Sequence, residues 1–137
     1  MKVLFVCRAN TGRSQVAEEL YNMETSTKDA SSAGTIVNDG IKTIEEKPNV
    51  APLIDTMIAY GIDISKNKRK QLNIRDLDMY DKVIVMAEPE NIPDWLRNHP
   101  KFEYWEIEDI KDKDRENSAR IINLIHKRVK ELMSATL

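Results

Sequence analysis

Residues 3–14 have the sequence VLFVCRANTGRS, an apolar run followed at once by a polar loop. The apolar part is rich in β-branched and aromatic side chains, which is typical of a buried strand. Apolar residues at helical spacing follow from position 13 to position 24, so the polar loop joins a strand to a helix. The stretch therefore predicts an α/β fold with its functional loop between the first strand and the first helix.

The loop contains the only cysteine of the chain, Cys7, and an arginine six positions later, Arg13. In such a turn the backbone N–H groups of residues 8–13 can converge on one point, and the start of the helix adds partial positive charge, so an anion is favoured there. The same field stabilises a cysteine as the thiolate, its nucleophilic form. An arginine fork binds two phosphoryl oxygens at once. The spacing thus predicts a phosphate site that contains a nucleophile.

Neighbouring loop residues suit this interpretation. Asn10 tolerates a left-handed backbone, Gly12 adds backbone freedom, and the Ser14 hydroxyl can donate to the sulfur or cap the helix. The usual alternative, a buried structural cysteine at a strand end, does not explain this combination. The predicted phosphate-binding residues are Arg8, Ala9, Asn10, Thr11, Gly12, Arg13 and Ser14.

Length and composition restrict the class of protein. We expect 137 residues to form a single domain, 1–137. One cysteine allows no internal disulfide and no multi-cysteine metal site, and a reactive thiol suits the cytoplasm. We expect no metal and no cofactor. There is no apolar run of about 18 residues, so no membrane association is expected. The net charge of −2 gives no reason to expect nucleic acid as a partner. The basic run 66–70 is expected to be a solvated rim with a minor part in attracting phosphate.

Hydrophobic spacing predicts further elements along the chain. They are a helix over 50–60 that stops before Gly61, a strand over 82–87, a short helix over 90–98, a strand over 102–107 and a helix over 115–133. The last helix has an apolar stripe formed by Ile121, Ile122, Leu124, Ile125, Val129 and Leu132. Repeated strand-then-helix units predict parallel strands with a binding site at their carboxyl ends.

These residues resemble the low-molecular-weight protein tyrosine phosphatase family, which includes related arsenate reductases. Members have a Cys-x-x-Asn-x-x-Arg-Ser loop near the N-terminus, which Cys7, Asn10, Arg13 and Ser14 match. Other segments resemble the family too: SAGT at 32–35, YGIDIS at 60–65, QL at 71–72 and DKVIVM at 81–86. The resemblance implies a three-layer, phosphatase I-like fold, with a four-stranded parallel sheet and helices on both faces.

The resemblance also implies a general acid. The family takes it from an aspartate before a proline shortly after the last strand, and Asp109 aligns there with Ile110 in place of the proline. Asp112 and Asp114 are nearby substitutes. The alternative is that the acidic stretch 106–114 only solvates a loop and faces the start of the last helix.

With Cys7, Arg13 and Asp109 at the matching positions, the resemblance implies a metal-independent phosphomonoester hydrolase, of the protein tyrosine phosphatase type, that forms a cysteinyl phosphate. Its expected partner is a phosphorylated substrate, either a phosphotyrosine protein or a small phosphomonoester, with phosphate or another oxyanion in the loop. The aromatic residues are expected to be structural rather than walls of the pocket. The two histidines, His99 and His126, are expected to have a structural or surface role. The four aromatic residues in question are Tyr60, Tyr80, Tyr104 and Trp105.

Two other functions remain open. Arsenate resembles phosphate, and a chain with a single cysteine needs an external thiol to complete arsenate reduction. A phosphate-binding or phosphocarrier module can also place a cysteine on a strand-to-helix loop, although Arg13 together with Asp109 favours hydrolysis.

Overall fold

The computed structural model describes residues 1–110 and 114–135, and four parallel strands form its sheet. The strands are β1 (Val3–Cys7), β2 (Ala30–Gly34), β3 (Lys82–Val85) and β4 (Phe102–Tyr104), in the spatial order β2-β1-β3-β4. Val3 pairs with Ala30 of β2 and with Lys82 of β3, while Val83 pairs with Phe102 of β4. The predicted four-stranded parallel sheet is confirmed.

Helices cover both faces of this sheet. They are α1 (Arg13–Thr25), α2 (Ala51–Ile58), α3 (Asp94–Arg97) and α4 (Arg115–Ala135), with short 3-10 helices at Ile44–Glu46, Ile74–Met79 and Pro89–Asn91. Helices α1, α2 and α4 pack on the face that presents Phe5 and Ile84. The 3-10 helix at Ile74–Met79 and α3 contribute to the core on the opposite face, with Val6 and Val83. All five residues of β1 are buried, as expected for a central parallel strand.

Two predicted strands are longer than the observed ones. The prediction over 82–87 is shortened at its end to β3, and the prediction over 102–107 is shortened to β4. After β4, Trp105 N donates to Val85 O at 2.9 Å, and the chain then leaves the sheet. Trp105 and Ile107 stay buried while residues 106 and 108 are exposed. Buried and exposed side chains therefore alternate after β4 as they would in a strand, but outside the sheet.

The predicted helix over 90–98 is divided into the 3-10 helix Pro89–Asn91 and α3. Pro93 separates the two with φ −66° and ψ 151°, because proline has no N–H to continue a helical ladder. Helix α2 lies within the predicted range 50–60, and Gly61 follows it with φ +82°, which confirms the predicted stop.

The apolar stripe of α4 is confirmed except at one position. Leu124 is 42% exposed, whereas the other five stripe residues are buried. At about 100° per residue, Leu124 lies about 100° from the centre of the buried arc, which places it at the solvent side. Neither α4 nor any other helix in the described part of the chain is long and apolar enough to cross a membrane.

Candidate active site

Cys7 lies at the carboxyl end of β1, where the thiol is 3% exposed. The chain just after β2 holds the start of the following loop, because Thr35 N donates to Cys7 O and Ile36 N donates to Arg8 O, both at 2.9 Å. Helix α1 then begins at Arg13. We call residues 7–14 the phosphate loop. It lies between the first strand and the first helix, as the sequence predicts.

The buried side chain of Asn10 stabilises the phosphate loop through hydrogen bonds. It is fully buried with φ +52°, the left-handed conformation that the sequence predicts for it. Its Nδ2 donates to Ser14 Oγ at 2.8 Å and to Ser32 Oγ at 3.0 Å. Its Oδ1 accepts from Lys70 N at 2.9 Å and from Gln15 Nε2 at 3.2 Å. Because one side chain joins α1, β2 and the segment around residue 70, the loop cannot change shape without breaking several buried hydrogen bonds.

Ser14 lies beside the thiol. Its Oγ is 3.0 Å from Cys7 Sγ. No side-chain hydrogen bond caps the start of α1, where Gly12 is the N-cap residue. The Ser14 hydroxyl therefore contacts the sulfur and does not cap the helix. Of the two roles predicted for Ser14, the structure has the contact with sulfur.

The two terminal nitrogens of Arg13 donate hydrogen bonds to other protein groups. Its Nη1 lies 3.2 Å from Glu88 Oε2, and its Nη2 lies 3.2 Å from Glu88 Oε1. Nη1 also donates to the carbonyl oxygens of Met86 at 2.5 Å and Ile107 at 3.0 Å. The Nε atom is buried and has no hydrogen-bond partner among the described residues. The guanidinium thus keeps the edge formed by Nε and Nη2 for a further acceptor, and a tetrahedral oxyanion fits such an edge.

Charges around Arg13 keep it cationic. Burial lowers the pKa of its guanidinium, but the nearby Cys7 charge, the Glu88 hydrogen bond and Asp109 outweigh burial and raise it. For Glu88, burial raises the pKa, and the hydrogen bond and charge of Arg13 outweigh that and lower it. Both partners are therefore ionised at neutral pH, and Glu88 fixes the direction of the arginine fork.

Asp109 lies next to this fork. Its Oδ1 is 3.8 Å from Arg13 Nε, and its side chain is 42% exposed. It borders two cavities. The loop cavity, of about 290 Å³, lies over the phosphate loop and has Arg8, Thr11, Lys47, Asn49 and Asp109 on its polar side. The side cavity, of about 450 Å³, includes Arg13, Glu88, Tyr104, Glu106 and Asp109. The structure thus brings Asp109 together with Arg13 and the phosphate loop.

Ile110 anchors the segment that contains Asp109. It is 7% exposed and belongs to the core formed by α1, α2 and α4. Its Cδ1 lies 3.2 Å from the point where a Cβ on Gly12 would stand. Apolar burial fixes this position in a chain that has no proline there.

The other acidic candidates differ from Asp109. Asp114 Oδ1 accepts from Asn117 N at 2.6 Å at the start of α4, so its carboxylate acts as a helix cap. Asp112 lies outside the described residues.

A family model described as low molecular weight phosphotyrosine protein phosphatase matches residues 2–137. The chain belongs to this family. It is 27% identical over 134 residues to the glutaredoxin arsenate reductase of Synechocystis sp. (strain ATCC 27184 / PCC 6803 / Kazusa), which covers 97% of this chain and 96% of that protein. This agrees with the resemblance seen in the sequence.

Solved structures of the family have the same fold. The low molecular weight protein tyrosine phosphatase from T. tengcongensis is 26% identical with a TM-score of 0.76, covering 98% of this chain and 99% of that one. A structure described as an arsenate reductase in the phosphate binding state is 28% identical with a TM-score of 0.76, covering 98% of each chain. This member of the phosphatase family therefore resembles phosphatases and arsenate reductases to a similar degree.

Among the aromatic residues, Trp105 is buried against Phe5 with ring centroids 5.7 Å apart, and Tyr60 and Tyr80 pack on the core, as predicted. For Tyr104 the prediction is wrong. This side chain is 37% exposed and borders the side cavity with Arg13 and Asp109. Tyr104 is the last residue of β4 and directly precedes the buried Trp105, so alternation places the two side chains on opposite faces.

The two histidines have the structural contacts that the sequence predicts. His99 Nδ1 accepts from Lys101 N at 3.1 Å in a turn. His126 Nε2 lies 2.7 Å from Glu24 Oε1, which links α4 to α1. Within residues 1–110 and 114–135, no group of three or more histidine, cysteine or acidic side chains is placed to hold a metal ion.

Sequence reasoning missed two residues that contact the site. Glu88 pairs with Arg13 from 75 positions away, and nothing in its local sequence marks it. Arg69 was expected in a solvated rim, and for this residue the prediction is wrong: its side chain is 1% exposed, whereas Lys66 in the same run is 81% exposed. The arginine contacts the phosphate loop instead.

Gly34 marks the closest approach of β2 to the phosphate loop. A Cβ there would lie 2.7 Å from Arg8 O and 2.9 Å from Asn10 N, and these are backbone atoms that cannot rotate away. We expect Gly34→Ala to lower stability by about 1–3 kcal/mol and to weaken phosphate binding, measured by thermal unfolding and calorimetry. Gly61→Ala is the control: Gly61 has φ +82° with nothing within 4 Å, so its alanine variant should also lose stability through backbone strain but bind phosphate as wild type does. Equal phosphate affinity in wild type and Gly34→Ala would contradict this account.

Proposed function

We propose that this chain is a phosphomonoester hydrolase that forms a cysteinyl phosphate on Cys7. The observation that supports it best is the buried Nε of Arg13 beside the phosphate loop, which has no hydrogen-bond partner among the described residues, while Glu88 binds the other end of the same guanidinium. Asp109 Oδ1 is 3.8 Å away, beyond hydrogen-bond distance, and a buried donor without a hydrogen bond costs free energy, so an oxyanion that accepts from Nε is stabilised. A reactive thiol of this kind suits the reducing cytoplasm.

In the first step, the Cys7 thiolate attacks phosphorus in line with the leaving oxygen. The S–P bond forms, the P–O bond breaks, and Asp109 gives its proton to the departing oxygen. Arg13 and the loop amides bind the equatorial oxygens, whose charge they stabilise without reorganising. The hydroxyl of Ser14, 3.0 Å from Sγ, stabilises the thiolate and then the departing sulfur.

In the second step, water attacks the phosphorus of the cysteinyl phosphate. Asp109, now ionised, takes a proton from the water, the S–P bond breaks, and inorganic phosphate leaves. No proton or electron is supplied from outside. Phosphate released at the end occupies the same loop that held the substrate, so it is expected to inhibit competitively.

The test is steady-state hydrolysis of para-nitrophenyl phosphate without added metal. Release of many equivalents of phosphate per chain, inhibited competitively by inorganic phosphate, supports the proposal. Release of no more than one equivalent would contradict it and favour a phosphocarrier or phosphate-binding module.

Asp109→Asn tests the acid. We expect kcat to fall by about 10²–10⁴-fold for alkyl phosphates, because an alkoxide leaves poorly without a proton, and by less for para-nitrophenyl phosphate. The measurement is kcat across a series of leaving groups of different pKa. Asp114→Asn is the matched control, since its carboxylate caps α4 instead. A leaving-group dependence equal to that of wild type would remove Asp109 from the proposed mechanism.

We also propose that aryl phosphates, including phosphotyrosine, are substrates. Tyr104 supports this because its exposed ring borders the side cavity with Arg13 and Asp109, where a second ring can stack. The comparison of kcat/KM between phosphotyrosine and alkyl phosphates, in wild type and in Tyr104→Ala, checks it. A loss in Tyr104→Ala that is confined to phosphotyrosine is the expected result.

Arsenate reduction is the second candidate, supported by the similarity to the glutaredoxin arsenate reductase. Cys7 would bind arsenic, and an external thiol would join it in a disulfide as arsenic accepts two electrons. A further external thiol would then release Cys7. The two candidates are distinguished by measuring arsenite formation from arsenate, with glutathione and glutaredoxin, and phosphate release under the same conditions. Arsenite formation without phosphate release would favour arsenate reduction.

A further inference from the structure

Arg69 is a buried cation within a run of exposed lysines. Its side chain is 1% exposed, whereas Lys66, Lys68 and Lys70 are exposed. Withdrawing a guanidinium from water is costly unless its donors find acceptors. The acceptors that Arg69 finds lie in two separate segments, the phosphate loop and residues 39–41.

The contacts with the phosphate loop centre on one carbonyl. Arg69 Nη2 donates to Ala9 O at 2.9 Å, and Nε is 3.2 Å from the same oxygen and 3.1 Å from Thr11 Oγ1. The peptide between residues 9 and 10 is planar and trans, so holding its carbonyl also fixes the direction of the next N–H. Asn10, immediately after it, has the left-handed φ of +52° on which the loop depends.

The second set of contacts reaches the wall of the loop cavity. Arg69 Nη1 donates to Asp39 Oδ1 at 2.7 Å and to Ile41 O at 2.8 Å. The other oxygen of Asp39 accepts from Lys47 Nζ at 2.9 Å, and Lys47 borders the loop cavity. Hydrogen bonds from Arg69 and Lys47 hold the pKa of Asp39 far below its ordinary value. The carboxylate thus stays ionised between two cations.

We propose that Arg69 is a positioning residue for anion binding. It fixes the phosphate loop through Ala9 O and, through Asp39, sets the place of Lys47 in the loop cavity, without touching the substrate. A planar fork is required because its donors point in two directions at once, and a lysine ammonium cannot reproduce that geometry. The proposal rests on the phosphate loop being the anion site.

The experiment measures two quantities: the Kd of inorganic phosphate by calorimetry, and kcat and KM for para-nitrophenyl phosphate. We expect Arg69→Gln to raise the Kd by about tenfold and to lower kcat/KM by about 10- to 100-fold, since small displacements of a binding loop have effects of that size. Arg69→Lys should resemble Arg69→Gln. Asp39→Asn, which keeps the contacts with Ala9, should show a smaller change in the same direction.

Arg75→Gln is the control, because Arg75 is an exposed arginine on the 3-10 helix Ile74–Met79, which packs on the other face of the sheet. All measurements are made below the unfolding temperature of every variant, so a purely stabilising role for Arg69 would lower that temperature and leave the Kd unchanged. That result would overturn the proposal, as would full rescue by lysine. If Arg69→Gln does not fold, the phosphate Kd values of Arg69→Lys and Asp39→Asn test the proposal: raised values support it, and values equal to that of wild type overturn it.

The proposal for Arg69 and the proposed function can fail independently in these measurements. A wild type that binds phosphate but releases none from the ester contradicts hydrolysis, while the phosphate Kd values of the variants still test Arg69. A wild type that hydrolyses the ester while all Arg69 variants bind phosphate equally well contradicts the role of Arg69 alone.

Discussion

Cys7→Ser is expected to abolish catalytic turnover, with kcat for para-nitrophenyl phosphate falling on the order of 10⁴-fold or more. Serine keeps the shape of the side chain, but its hydroxyl is not ionised at neutral pH and has no adjacent base in the proposed mechanism. The residue is 3% exposed at the end of β1, next to Ser14 Oγ, and an oxygen fits where the sulfur was. Initial rates and thermal unfolding of both proteins give the comparison.

The same variant separates the nucleophile from the anion site. The loop amides and Arg13 are unchanged in Cys7→Ser, so we expect it to bind inorganic phosphate within about tenfold of wild type. Retained binding without turnover is the pattern that a covalent mechanism requires. A Cys7→Ser protein with a rate within tenfold of wild type would show that the thiol is not the nucleophile.

Arg13→Lys is expected to lower kcat/KM by about 10²–10³-fold, even though it keeps the positive charge. Lysine supplies a single ammonium, which cannot hold Glu88 at one end and present a second edge to an oxyanion. We also expect a loss of about 1–3 kcal/mol in the free energy of unfolding, because the carbonyl oxygens of Met86 and Ile107 lose a charged donor. Steady-state kinetics and denaturant unfolding measure the two effects.

Arg75→Lys provides the control for Arg13→Lys. Arg75 is exposed on the 3-10 helix Ile74–Met79, so the change should cost less than about 1 kcal/mol and leave kcat unaffected. Glu88→Gln adds a second test, since it removes the charge that fixes the fork while leaving Arg13 in place. Near-normal kcat/KM in Arg13→Lys would show that a point charge is sufficient and that the free edge of the guanidinium is not used.

The phosphate loop could be predicted from sequence because its parts are consecutive. A buried strand, a cysteine at its end and an arginine at the start of the next helix are local features, so the order of strand, loop and helix can be predicted from the sequence. The resemblance to the family then supplied the number of strands. Hydrophobic spacing did not identify β2, since ASSAG at 30–34 consists of small residues with weak strand preference. Gly34 shows one physical reason for a small residue at the end of this strand: the phosphate loop leaves no room for a side chain there.

The residues that hold the site in place from distant parts of the sequence could not be predicted in the same way. Glu88 lies 75 positions from Arg13, and Arg69 lies 60 positions from Ala9. Each resembles an ordinary surface charge in its local sequence, and only the folded chain shows that its partners are buried. The role of Ile110 could not be predicted either, because an isoleucine in place of the family's proline does not indicate a contact with the loop. In the structure, its burial against Gly12 explains how the Asp109 segment is held.

Covalent catalysis by Cys7 can be tested by trapping the cysteinyl phosphate. Wild type and Cys7→Ser are mixed with excess para-nitrophenyl phosphate, quenched in acid within the first turnover, and analysed by peptide mass spectrometry. We expect one phosphoryl group on the peptide that contains Cys7 in wild type, none in the variant, and a burst of para-nitrophenol equal to the amount of trapped peptide. Phosphate release by wild type without any labelled cysteine peptide, and without a burst, would contradict it.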